Sequence, residues 1–180
     1  MSMIGSKSDY RHFLRCDLEK AKIGRWGFWM MLRHPTLYFI RILRRVEYWQ
    51  NCRLGILDRL ILSALKVHYR LLSIYIGYTI PPNTCGPGLM LNHWGTIVIS
   101  PEARIGSNAR INVCVNVGLK DGLAPTIGDD VYIGPGAKLL GGIYIGNNVK
   151  IGANAVVNKS FPDNVTIVGV PAYIISTEAL

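Results

Sequence analysis

From Ile127 to Val157 the chain runs IGDDVY IGPGAK LLGGIY IGNNVK IGANAV V. An aliphatic residue opens every six: Ile127, Ile133, Leu139, Ile145, Ile151 and Val157. A small or branched apolar residue takes the fifth place, and glycine takes the second at Gly128, Gly134, Gly146 and Gly152. A period of six fits neither the alternation of a half-buried strand nor the 3.6-residue turn of a helix. It is the period of a parallel β-helix. Each six supplies one short side, three sides close a coil, and the opener points into the shaft. A single coil leaves its own apolar face uncovered, so coils must stack.

The frame extends backwards through Val117, Ile111, Ile105 and Ile99. Between Val117 and Ile127 it is interrupted by four extra residues, and 119–126 (LKDGLAPT) is expected to leave the shaft as a loop. The frame also breaks at Phe161-Pro162. Residues 160–175 are therefore expected to cap the open end, whose strand edges need covering.

Charge divides the chain in two. Residues 1–80 hold 14 Lys and Arg against 5 Asp and Glu, whereas residues 81–180 hold 6 of each, so the whole net charge of +9 lies in the first part. Such a surplus implies an anionic partner. The four cysteines (Cys16, Cys52, Cys85, Cys114) share no metal-ligand or redox spacing, which fits buried thiols in a reducing cytoplasm. No apolar run approaches the ~18 residues of a membrane span. The first twenty residues lack the apolar core of a signal peptide.

The composition predicts an α-helical basic domain over residues 1–78 and a mainly β domain over 79–180. Residues 1–8 read as loose and 9–22 as a short helix. His34-Pro35-Thr36 reads as a helix start, since proline suits the first turn. From Leu37 to Arg53 the apolar residues follow helical spacing, with Arg41, Arg44 and Arg45 lining another face. A second helix is expected from Ile56 to Ile76, with Leu57, Leu60, Ile61, Ala64, Leu65, Leu72 and Tyr75 inward, His68 beside them as a hydrogen-bonded core histidine, and Gly77 as its stop. The Arg stripe, with its interleaved aromatics, suits either a solvated face or a surface lying on anionic lipid. No nucleic-acid motif accompanies the charge. The segment 78–88 (YTIPPNTCGPG) reads as a passage between domains.

One histidine stands in the repeat region. Counting back by six from Ile99 lands on His93, in LNHWGTIVIS. An imidazole inside an aliphatic shaft would be costly without a partner. Either the frame slips and turns His93 outward, or the residue is kept for a purpose, and breaks of this kind gather at functional sites. A single histidine argues against a zinc site. No phosphate-cradling loop is present. Cys114 has no basic neighbour in sequence to activate it as a nucleophile.

LNHWGTIVIS, PEARIGSNARINVCVNVG, LKDGLAPT, IGDDVYIGPGAKLLGG, IGNNVKIGANAVV and VGVPAYII, in that order and spacing, resemble the serine acetyltransferase branch of the left-handed β-helix acyltransferases. HPTLYFIRILRRVEYW resembles the helical part of family members that act in surface-polysaccharide synthesis. The resemblance implies a homotrimer with acetyl-CoA in the groove between neighbouring shafts, direct transfer and no metal. It implies His93 as general base, with Asn92 beside it where the family has an acidic residue. Backbone at Gly118, Gly136 and Ala137 would hold the thioester and pantetheine arm, and Lys159 the nucleotide phosphates. Thr79 stands where the family has the acidic residue that orients the imidazole. Leu123-Ala124-Pro125 replaces the Arg-His pair that holds the carboxylate of serine, and Tyr173 replaces the usual basic residue after Pro-Ala. A sugar hydroxyl needs no carboxylate clamp. The expectation is thus an acetyl-CoA-dependent O-acetyltransferase acting on a sugar of a cell-surface polysaccharide or its lipid-linked precursor, cytoplasmic, with peripheral membrane contact through residues 1–78. The alternatives are a serine O-acetyltransferase and a trimeric membrane-side scaffold, for which an imidazole at position 93 would have no use.

Overall fold

The computed structural model describes residues 3–53 and 55–177. Its helices are α1 (Lys7–Lys20), α2 (Met30–Arg33), α3 (Pro35–Cys52) and α4 (Ile56–Ile76). Ser6 caps α1 by accepting from the Asp9 amide at 3.1 Å. Of the stretch expected to be loose, residues 1 and 2 lie outside the described residues, while Ile4 is buried and its carbonyl accepts from Asn51. Pro35 opens α3, and Gly77 closes α4 in the left-handed conformation (φ 89°).

The shaft is built from five coils. The first contains β1 (Tyr78–Thr79) and β2 (Met90–Leu91), and the second β3 (Ile97–Ile99), β4 (Arg104–Ile105) and β5 (Arg110–Ile111). The third holds β6 (Val115–Gly118), β7 (Thr126–Ile127) and β8 (Tyr132–Ile133), and the fourth β9 (Lys138–Leu140), β10 (Tyr144–Ile145) and β11 (Lys150–Ile151). β12 (Val156–Val157) and β13 (Thr166–Val168) complete the fifth, and β14 (Tyr173–Ser176) follows. Stacking makes three sheets. Side A runs β1-β3-β6-β9-β12, side B β4-β7-β10, and side C β2-β5-β8-β11-β13 with β14 at its edge. All pairings are parallel except β13 with β14. The openers named from the sequence are all buried. Each buried aliphatic side chain contributes about 1.5–3 kcal/mol, so the ladder is the main source of cohesion.

Two expectations need correction. The segment 78–88 is no passage: Tyr78, Ile80 and Cys85 are buried, and Cys85 pairs with Ile105 in side B. Its glycines turn corners, since a Cβ at Gly86 would lie 2.8 Å from the Gly106 backbone. At the other end the frame is shortened by two residues, not lost. Buried Phe161 pairs with Ile145, Ile167 pairs with Ile151, and the cap is the antiparallel β14. The loop expected over 119–126 is present, between β6 and β7, and its tip folds back on the shaft. Lys120 and Leu123 exchange backbone hydrogen bonds at 3.0 Å, and Leu123 lies where a Cβ on Gly142 would stand.

Arg44 joins the helices to the shaft. It is fully buried, bonded to Asp17 (3.0 Å) and Glu47 (3.1 Å), and donates to the carbonyls of Cys85 (2.8 Å) and Gly86 (2.6 Å). Asp17 in turn accepts from the Leu89 amide and Glu47 from the Asn83 amide. Burial opposes the charge, but Asp17 and Glu47 more than offset it and hold the guanidinium protonated. Arg41 is half-buried with its guanidinium 4.8 Å from the Trp26 ring, which leaves only Arg45 of the supposed stripe exposed.

α4 is rotated from its expected orientation. Leu65 and Leu72 face inward as expected, but Leu57, Leu60, Ile61, Ala64 and Tyr75 are exposed, and Leu62, Tyr69 and Ile76 face inward in their place. Apolar residues occupy most of its circumference, so periodicity did not select a face. Packing of Tyr69 on Phe39, with ring centroids 5.4 Å apart, does. His68 is exposed rather than in the core, with its Nε2 3.0 Å from the Tyr38 hydroxyl.

Candidate active site

The corner between sides C and A is tight on most coils. Ile111 to Val117, Ile133 to Leu139 and Ile151 to Val157 each span six positions, but Leu91 to Ile99 spans two more. The extra residues fall within Asn92–Thr96, which stacks on Asn112–Cys114 through the Asn92–Asn112 side-chain bond (2.6 Å) and the Cys114 N–H to the Thr96 carbonyl (2.6 Å). Leu91 takes the shaft position, and His93 and Trp94 are turned to the exterior. The frame slip thus resolves the cost of placing an imidazole in the core.

The backbone of this corner is fixed. The Tyr78 hydroxyl donates to the His93 carbonyl at 2.5 Å, and the Gly95 N–H donates to the Ile76 carbonyl at 2.9 Å. Burial pushes the Tyr78 phenol well above its usual range, so it stays a donor. The His93 ring has no hydrogen-bond partner among the described residues. Asn92 gives its amide hydrogens to Asn112 and accepts from Arg110 Nε at 3.3 Å, and Asn112 continues to the Ile133 carbonyl at 2.8 Å. Asn92 therefore steadies the corner beside His93 and makes no bond to the ring.

The other expected residues border side A. Gly136 and Ala137 follow β8 on the same row of corners as His93, while Gly118 and Lys159 stand on the opposite border. Gly136 adopts φ 76°, its N–H donates to Val113, and a Cβ there would lie 2.0 Å from Asn154 Oδ1. The Ala137 N–H reaches the Gly134 carbonyl at 3.3 Å, and its side chain is buried. Both amides are thus engaged inside the shaft. Lys159 is exposed, with Nζ 5.6 Å from the Phe161 ring.

The outward row of side A is Thr79, Val98, Asn116, Lys138 and Val156, paired in register. Lys138 was missed from the sequence. Its amine reaches back one coil to the Cys114 carbonyl at 2.6 Å, which puts a cation on the row of corners that holds His93. The signal was present: the residue before each opener points outward, and here it is charged. Cys114 is exposed, against the expectation of buried thiols, while Cys85 is buried and its thiol pushed up to about 11 by that burial.

This architecture defines a hexapeptide-repeat β-helix protein. The profile of the bacterial transferase hexapeptide (six repeats) matches residues 124–159. Serine acetyltransferase from Synechococcus elongatus is 35% identical over 89% of the chain and 65% of its own length. A crystal structure of Neisseria gonorrhoeae serine acetyltransferase in complex with serine superposes with a TM-score of 0.73 at 30% identity, covering 95% of this chain and 71% of that one. A serine acetyltransferase in complex with CoA gives 0.75 at 27% identity, covering 94% and 71%. The chain belongs to the hexapeptide-repeat transferases, as a homologue of the serine acetyltransferases. It spans less than two thirds of the length of the curated relatives it matches first.

These relatives overturn the polysaccharide reading. That reading leaned on an Arg-rich face of α3, and the face does not exist as a surface: Arg44 is a buried junction and Arg41 is packed on Trp26. It leaned also on the missing clamp in 123–125, yet a cation on side A is supplied by Lys138.

Proposed function

We propose that this chain is an acetyl-CoA-dependent serine O-acetyltransferase that works as a homotrimer in the cytoplasm. The observation that carries the reading is the widened corner that turns His93 outward at the border of side A, in a chain similar to serine acetyltransferases along most of its length. An imidazole on the exterior of the shaft, free of bonds to the described residues, can take a proton from a hydroxyl placed within hydrogen-bond reach, which suits a general base. In this reading the His93 ring takes the proton of the serine hydroxyl as its oxygen attacks the thioester carbonyl. The tetrahedral intermediate expels CoA thiolate, and the imidazolium returns the proton to sulfur. Neither a covalent enzyme intermediate nor a metal enters the sequence. Lys138 would face the acceptor carboxylate in place of the absent Arg-His pair. Gly118, Gly136, Ala137 and Lys159 would border the CoA arm, and the neighbouring shaft would close the groove. Acetyl-CoA is a cytoplasmic metabolite, and the four cysteines are free thiols, which supports the compartment.

The test is release of CoA thiol from acetyl-CoA by the purified chain with L-serine. Serine-dependent release, with Lys138→Met raising KM for serine about tenfold or more, as loss of a hydrogen bond to a charged group would, is the expected result. Thiol release that proceeds with other hydroxyl acceptors but not with serine overturns the acceptor. A monomer near 20 kDa in light scattering overturns the trimer.

A further inference from the structure

Among the described residues nothing covers the outer face of α4. Leu57, Leu60, Ala64, Val67, Leu71 and Ile74 recur at alternating three- and four-residue steps and form one stripe. The five large ones are 75%, 65%, 60%, 63% and 68% exposed. The stripe continues at its C-terminal end into a cleft of about 570 Å³ where Tyr75 meets Leu32 of α2 and Trp94. Phe28 and Trp29, just before α2, are exposed as well. A continuous apolar surface thus runs along 21 residues of helix and ends beside the corner that carries His93. Exposed apolar area of that extent on a folded chain marks an interaction site.

Charge selects the occupant. Arg59, Lys66 and Arg70 are exposed on α4 and follow each other along one border of the stripe, at 100° of rotation per residue. The only acid of α4, Asp58, accepts from the Gly55 amide at its own N-terminus. A second copy of α4 laid in the stripe would bring Arg70 against like charge with no acid to pair it, the opposite of what helix pairing through flanking charges requires. An anionic lipid surface meets both demands: the apolar stripe enters the acyl boundary while the basic border lies among the headgroups. Among the described residues no helix is long and apolar enough to cross a membrane, so α4 would lie in the interface.

We infer that α4, with Leu32 and Trp94 at its end, is a docking face for anionic membrane. Contact there brings the His93 corner close to the lipid surface, whatever the acceptor. It replaces the Arg41–Arg44–Arg45 stripe of α3 as the membrane-facing element and retains the charge argument that pointed to one.

The experiment is co-sedimentation of the whole chain with vesicles of phosphatidylcholine alone and of phosphatidylcholine with phosphatidylglycerol, across a salt series, with mass in solution followed by light scattering. Binding should require the anionic lipid and weaken as salt rises, because surface charge is screened. The triple change Arg59→Glu, Lys66→Glu, Arg70→Glu should weaken it about 100-fold or more, at the usual contribution of a basic residue near an anionic leaflet. Leu60→Ser with Leu71→Ser should weaken it as well and leave the solution mass unchanged. These positions are exposed, so folding is retained, which circular dichroism checks. Equal binding to neutral vesicles, or binding to neither, overturns the proposal. So does a fall in solution mass on the Leu60→Ser, Leu71→Ser change, which would make the stripe a contact between copies.

Discussion

Two corners of the shaft stand directly on one another and differ by two residues. Asn92–Thr96 and Asn112–Cys114 are joined by the same asparagine ladder at one end and by a backbone bond at the other. The shorter corner keeps the six-residue frame. It forces Cys114 to φ 61°, with its amide and carbonyl both bonded within the shaft. The longer one exceeds the frame. It keeps Leu91 as the aliphatic opener, lifts His93 and Trp94 off the shaft, and is held from behind by Tyr78 and Ile76. Where the repeat is obeyed the side chains are consumed by packing. Where it is exceeded, a side chain is left over for chemistry. The second excess, at 119–126, stands on the opposite border of side A, so both departures flank the same face.

The largest expected effect comes from His93→Ala in the long corner. Loss of a general base typically costs ~10²–10⁴-fold in rate. The side chain is exposed and has no hydrogen-bond partner among the described residues, so removing it should leave solution mass, melting midpoint and calorimetric CoA affinity nearly unchanged. The matched change in the short corner, Val113→Ala, alters a half-buried aliphatic at the equivalent row and should leave turnover in place. If His93→Ala retains more than about a tenth of wild-type turnover, well above what loss of a base allows, the base lies elsewhere. If His93→Ala fails to fold, the residue is structural.

A smaller effect is expected from Tyr78→Phe. Tyr78 touches no reacting atom. It holds the His93 carbonyl, and its loss removes one hydrogen bond, worth about 1 kcal/mol. Turnover should fall by less than about tenfold, in proportion to that energy, with KM for acetyl-CoA unchanged, because Gly118 and Gly136, proposed to border the cofactor, belong to later coils than β1. Steady-state kinetics beside a denaturation curve separates the outcomes. A change in stability with no change in turnover would reduce Tyr78 to a packing residue.

Sequence and structure agree wherever the period is strict. Ile127 through Val157, and Ile99 through Val117, occupy the shaft as the spacing implies, because an opener has only one way to be buried. The frame even located the anomaly at position 93, though not its cause: the two-residue excess becomes visible only when Leu91 is seen paired with Ile111. α4 was misoriented because apolar residues surround it and Tyr69 on Phe39 makes the choice, a contact thirty residues apart in sequence. Arg44 reads as a surface charge in the sequence because its partners, Asp17 and the carbonyls of Cys85 and Gly86, come from both sides of it in the chain. Lys138 was overlooked because it sits in an ordinary repeat and matters only through the corner its amine reaches.

The smallest effect is expected at the tight corner itself. Cys114 is exposed and lies one coil from His93 along the same row, so proximity alone would nominate it as a nucleophile carrying the acetyl group. The proposed direct transfer gives it no such role. Cys114→Ser keeps the side-chain size, and serine tolerates the left-handed backbone about as well as cysteine does. Turnover should therefore stay within about twofold of wild type, the range of a surface change that removes no named interaction. The contrast with His93→Ala, made on the neighbouring corner and assayed under the same conditions, tests whether the widened corner is the source of activity. Rapid quench of the wild type with radiolabelled acetyl-CoA, before serine is added, provides the second readout: label should remain with the thioester and none should travel with the protein. Acetyl label retained on wild-type protein and absent from the Cys114→Ser form would place a covalent step at the short corner and reverse the roles of the two.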